Sequence, residues 1–121
     1  MSYKLFYLFI TISLSYSFFQ SKTPVTLLYE SNFDKEVIES KNLWLILFYA
    51  PSCEHCKAFI PEYEKAAKVA KGLFKIGAVD AFKEKQLGLR YDIKELPTLK
   101  FLVLIKKNQK YITQKEKQNL L

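Results

Sequence analysis

Tyr49-Ala50-Pro51-Ser52-Cys53-Glu54-His55-Cys56-Lys57 is the stretch on which the reading of this chain turns. It carries both cysteines of the 121-residue sequence, three positions apart, between an apolar run and an amphipathic one. Leu43 to Tyr49 is continuously apolar, the pattern of a strand covered on both faces in a parallel or mixed sheet. From Cys53 to Lys71, apolar residues recur at Cys56, Phe59, Ile60, Tyr63, Ala66, Ala67 and Ala70, the spacing of a long amphipathic helix. Two thiols at i and i+3 in the first turn of such a helix are neighbours on one face, close enough to bridge or to exchange.

Working outward, Glu62 and Glu64 precede Lys65, Lys68 and Lys71, the charge order that suits a helix dipole, and Gly72 is placed to end the helix. Pro61 lies inside it and predicts a kink. Upstream, Val25 to Tyr29 reads as a strand, and Ser31 as the cap of a short helix to about Glu39 with Phe33, Val37 and Ile38 turned inward. Downstream come a strand over Phe74 to Asp80, a helix over Phe82 to Tyr91 weakened by Gly88, and a strand from Thr98 to Ile105 opened by Leu96-Pro97. A polar turn, Lys106 to Gln109, and a short last strand, Lys110 to Thr113, are expected after it. Strands and helices alternate, so the class is α/β with a central mixed sheet flanked by helices. Gln114 to Asn119 is uniformly polar and offers no final helix, so one face of the sheet is expected to be thinly covered.

Half of the residues are apolar and 16% aromatic, with only 3 Gly and 4 Pro, which excludes a disordered chain and leaves room for one modest core. Lys4, the apolar run Leu5 to Phe19, and small residues at Ser15 and Ser17 form the pattern of a secretory signal cleaved after Ser17. The run is shorter than a spanning helix requires, so the membrane enters only through an uncleaved anchor. Residues 1–21 are therefore set aside as leader, 22–113 as the folded domain and 114–121 as a polar basic tail. Delivery to an oxidising compartment follows, where a cysteine pair is held as a disulfide. The net charge of +7 is spread along helices without aromatic stacking platforms, so it reads as solvated faces and nucleic acid is not expected as a partner.

At the N-terminus of the long helix, Cys53 meets unpaired N–H groups and the positive dipole end, which favour its thiolate; Cys56, one turn inside, is shielded. Cys53 is thus the attacking thiol and Cys56 the resolving one. A protonated His55 stabilises the thiolate and the Glu54 carboxylate opposes it, predicting a weaker oxidant than a pair without the Glu. Zinc wants four ligands, and two Cys with one His between them do not supply them, so no metal or other cofactor is expected. A purely structural bridge closes so short a loop that it stabilises little.

The Tyr49-Ala50-Pro51-x-Cys53-x-His55-Cys56-Lys57 segment, together with Pro61-Glu62, Val79-Asp80-Ala81 and Leu96-Pro97-Thr98, resembles the catalytic a-type domain of protein disulfide isomerases, in the thioredoxin superfamily. The resemblance runs from about Ser31 to Phe101. It implies a thioredoxin-like fold and a cis Pro97 facing the cysteine pair, with the Leu96 backbone pairing with an extended substrate peptide. The sequence also departs from that family. Ser52 and Glu54 stand where relatives usually have the Trp and Gly of Trp-Cys-Gly-His-Cys, which makes the substrate-facing rim more polar. Leu47 stands where many carry a buried Glu that takes the proton of the resolving cysteine, and Ala78 where many carry its Lys partner. The hairpin, Arg-bearing loop and final helix of the relatives have no counterpart, and no Lys-Asp-Glu-Leu type signal is present.

The expected function is a thiol–disulfide oxidoreductase or isomerase acting on client polypeptides in the endoplasmic reticulum lumen, or secreted. Cys53, Cys56 and His55 are its catalytic residues, Ser52, Leu96 and Pro97 its substrate contacts, and Glu54 its tuning residue. The alternative is a weakly active or non-catalytic peptide-binding module of the same fold, a truncated family member.

Overall fold

The computed structural model describes Phe19 and residues 22–103. The leader apart from Phe19, the turn at 106–109, the strand at 110–113 and the tail lie outside the described residues. The elements follow the expected alternation: β1 (Val25–Leu27), α1 (Glu30–Phe33, continuing as a π-helical turn, Asp34–Ile38), β2 (Trp44–Tyr49), α2 (Glu54–Val69), β3 (Lys75–Asp80), α3 (Lys85–Arg90) and β4 (Thr98–Leu102). The sheet order is β1-β3-β2-β4. β1 and β2 run parallel to β3, and β4 runs antiparallel to β2.

β2 is buried from both sides because its side chains alternate. Trp44, Ile46 and Phe48 join Phe33, Val37, Leu87 and Tyr91 under α1 and α3. Leu47 and Tyr49 join Cys56, Ile60, Tyr63 and Ala67 under α2. Tyr63 ties α2 to the sheet, its hydroxyl lying 3.0 Å from the Leu45 carbonyl and 2.8 Å from that of Gly77. Phe19, within the stretch read as leader, is also packed here, its ring edge-on to Tyr49 at 5.3 Å between centroids. α2 covers the middle of its face; at the flanks, Leu27 on β1 and Leu99 on β4 remain 40% and 43% exposed.

Local side chains move several boundaries. α1 starts at Glu30, so Ser31 lies within its first turn and is not its cap. Asn32 organises the start instead, accepting from the Tyr29 N–H at 2.7 Å and donating to the Leu27 carbonyl at 3.1 Å. α3 begins at Lys85 and not at Phe82, because the Asp80 carboxylate accepts from the N–H groups of Phe82 and Lys83 and holds that stretch as a turn. α2 runs through Pro61 to Val69, and Gly72, at φ +89°, turns the chain away in a conformation that favours glycine.

Candidate active site

The site forms where β2 hands over to α2. After Tyr49 the chain turns through Ala50-Pro51-Ser52, and the Ala50 carbonyl accepts from the Cys53 N–H at 3.1 Å. Cys53 then caps α2. Its backbone is extended, its carbonyl accepts the first helical bond from Lys57 at 3.1 Å, and its sulfur lies 3.2 Å from the Cys56 N–H. A helix start leaves such N–H groups without helical partners, so a sulfur placed here receives a backbone donor that also stabilises its anionic form. The two cysteines form a disulfide, with their Cα atoms 5.2 Å apart.

The surroundings of the two sulfurs differ. Cys53 is partly exposed and flanked by exposed Pro51, Ser52 and His55. Cys56 is fully buried. Leu47, Ile60, Tyr63 and Ala78 share its cluster, and Leu47 and Ala78 sit side by side in the β2–β3 register. Apart from tyrosine hydroxyls and the Trp44 indole N–H, no polar or charged side chain is buried among the described residues. The Tyr63 hydroxyl is engaged by the strand carbonyls, and burial pushes its ionisation up. Burial, reinforced by the charge of Asp80, pushes Tyr49 up to about 12. Neither phenol is an acid or base near neutral pH.

A distant segment completes the arrangement. The Leu96–Pro97 peptide bond is cis, and the Leu96 carbonyl oxygen lies 3.8 Å from Cys53 Sγ. The loop is held from within: Ile93 N–H donates to Gly88 at 2.9 Å, and the Thr98 hydroxyl donates to the Glu95 carbonyl at 2.6 Å. Cys53, Cys56, Leu96 and Pro97, 43 residues apart at the extremes of the sulfur contact, therefore meet at one edge of the domain.

Glu54 departs from the role expected of a free carboxylate. It is fully exposed and paired to Lys57 at 2.8 Å, and that hydrogen bond, with the ammonium charge, holds its carboxyl below the usual carboxylate range. The residue after Cys53 thus carries an ion pair, not a bare negative charge. The i,i+3 spacing of Glu54 and Lys57 carried this signal in the sequence. No group of three metal-ligating side chains occurs among the described residues.

The family model described as Thioredoxin matches residues 24–121. Over 89 residues the chain is 44% identical to a "Protein disulfide-isomerase A6 homolog" of Caenorhabditis elegans, covering 74% of this chain and 20% of that protein. It is 48% identical over 82 residues to "Protein disulfide-isomerase A6" of Homo sapiens, covering 68% and 19%. The match thus spans about a fifth of the length of these curated relatives. Among solved structures, the Trx4 domain of ERdj5 is similar at 31% identity and a TM-score of 0.66, over 69% of this chain and 74% of that one. The first thioredoxin domain of mouse Protein disulfide-isomerase A4 is similar at 35% and 0.62, over 80% and 72%.

Proposed function

The chain belongs to the thioredoxin family, with a domain of the protein disulfide-isomerase type, and from that premise we propose that it exchanges thiols and disulfides with client polypeptides of the secretory pathway, in the endoplasmic reticulum lumen or after secretion. The observation that carries this reading is the partly exposed Cys53 sulfur, set between the Cys56 N–H and the Leu96 carbonyl.

In the reduced domain, the Cys53 thiolate attacks one sulfur of a client disulfide. The client S–S bond breaks, its other sulfur leaves as a thiolate, and a Cys53–client mixed disulfide forms. Cys56 then gives up its proton and attacks Cys53 Sγ, forming the Cys53–Cys56 bridge and releasing the second client thiol. The client gains the two electrons that the dithiol loses. Run backward, the same steps oxidise a client dithiol.

Ser52 and the Leu96–Pro97 backbone form the rim on which an extended client strand lies, and His55, exposed two residues after Cys53, is the side chain that supports its thiolate. Glu54 tunes the pair weakly, through its ion pair with Lys57. No metal or cofactor takes part. The apolar wall around Cys56 slows the second step, since no described side chain there accepts its proton.

That wall also favours a second reading, a module that captures clients and turns over poorly. Insulin reduction and refolding of scrambled ribonuclease, run beside Cys53→Ser, decide between them. Wild-type turnover that the variant lacks supports the enzyme; identical behaviour of the two leaves the binding module.

A further inference from the structure

A groove of about 400 Å³ opens beside the Leu96–Pro97 loop, lined by Lys85, Leu89, Ile93, Lys94, Glu95 and Leu96. Leu96 belongs to both places: it lines the groove, and its carbonyl lies 3.8 Å from Cys53 Sγ. A polypeptide whose cysteine is bonded to Cys53 therefore has its neighbouring side chains within reach of the groove. Two large apolar side chains here are left open by packing: Leu89, which lines the groove, at 74% exposure, and Phe82, whose ring lies under Lys85, at 70%. Isolated exposed apolar residues are ordinary, but a pair at a concavity that shares Leu96 with the surroundings of a reactive sulfur suits a binding surface.

The charges on this rim are unequally occupied. Lys94 is held by Asp92 at 3.4 Å. Lys85 lies over the Phe82 ring, 5.9 Å from its centroid, and makes no ion pair among the described residues. An ammonium resting on an aromatic face keeps its donors available to an incoming anion. Glu95 is the one carboxylate that lines the groove against it.

We infer that this groove is a specificity subsite for client segments carrying a large apolar side chain and a carboxylate near the target cysteine, with Lys85 reading the carboxylate. The inference rests on the exchange reading above. It assigns Lys85 a part in substrate choice and none in the chemistry at sulfur.

The test uses pre-reduced domain and peptide disulfides, each a homodimer bridged through one cysteine, with Phe and either Glu or Lys within two residues of it. Single-turnover oxidation of the domain is followed, each rate normalised to that of the same peptide with 2-mercaptoethanol. The neutral 2-hydroxyethyl disulfide tests the exchange reading separately. Wild type is expected to prefer the Glu peptide about three- to five-fold at low salt, the range that one exposed ion pair gives, with the preference shrinking at high salt. K85E is expected to reverse the ratio, K85R to keep it, and K68E, on the exposed face of α2, to leave it as in wild type. A ratio unchanged by K85E, or changed as much by K68E, overturns the subsite while the exchange reading stands. Failure of the wild type to react with 2-hydroxyethyl disulfide overturns both.

Discussion

The two sulfurs of the bridge are three residues apart, yet they live in different solvents. Cys53 sits at the rim with a backbone donor, a nearby carbonyl and water. Cys56 sits in the core, walled by Leu47, Ile60, Tyr63 and Ala78. The contrast comes from one turn of helix: residue 53 lies before the first helical position, while residue 56 points back under it onto the sheet. On the proposed roles, with Cys53 attacking and Cys56 resolving, it teaches that the two steps are tuned separately, the first by a helix start at the rim and the second by the apolar core.

The largest break in the comparison comes from removing each sulfur in turn. Cys53→Ala is expected to abolish both capture and turnover, whereas Cys56→Ala still captures clients and accumulates mixed disulfide, visible on non-reducing gels. Symmetric loss in the two variants contradicts the division of roles.

Next in size is Leu47→Glu, which places a proton acceptor in the wall. Resolution of a preformed mixed disulfide is expected to speed up by at least about ten-fold, short of the roughly hundred-fold or more that a fully optimised acid–base group contributes; equal or slower resolution by stopped-flow counts against the wall as the brake.

Tyr63→Phe leaves the wall's shape but removes the hydroxyl that meets the Leu45 and Gly77 carbonyls, a loss of about 1 kcal/mol in urea unfolding. The same variant tests a pH effect. Burial raises the folded-state ionisation of Tyr63 above its unfolded value of 10.0, so its contribution is intact below pH 10 and is lost as pH rises toward the folded value. The variant is therefore expected to lose less stability than wild type in that alkaline range, with Tyr49 supplying the remaining decline.

The smallest effect belongs to the rim. Glu54→Gln frees Lys57 and raises Cys53 reactivity by less than about three-fold at low salt, fading at high salt, as expected of an exposed pair. A ten-fold change means that the carboxylate acts on the sulfur without being quenched by Lys57.

Much of this contrast was legible in the sequence. A continuous apolar run can be accommodated only by a strand covered on both faces, which placed β2 at the centre, and the spacing from Cys56 to Ala70 gave α2 its inner side. The resemblance to the disulfide isomerases supplied what periodicity cannot: the approach of Leu96 and the cis Pro97, two features of a contact 43 residues long. Boundaries set by one side chain's hydrogen bonds were not legible. Asp80 delays α3, and Asn32 rather than Ser31 shapes the start of α1, because a carboxylate or carboxamide chooses its N–H partners only in the folded geometry. Glu54 was visible as a charge, and its quenching by Lys57 followed from a spacing that favours such pairs without guaranteeing them.

The most direct measurement is differential alkylation of the reduced domain. Iodoacetamide is added at pH 7, the reaction is quenched over time, and modification at each cysteine is read by peptide mass spectrometry. Cys53 is expected to be modified at least about ten-fold faster than Cys56, as its accessibility and backbone donor require. Equal rates, or faster modification of Cys56, would contradict the assignment of Cys53 as the attacking sulfur.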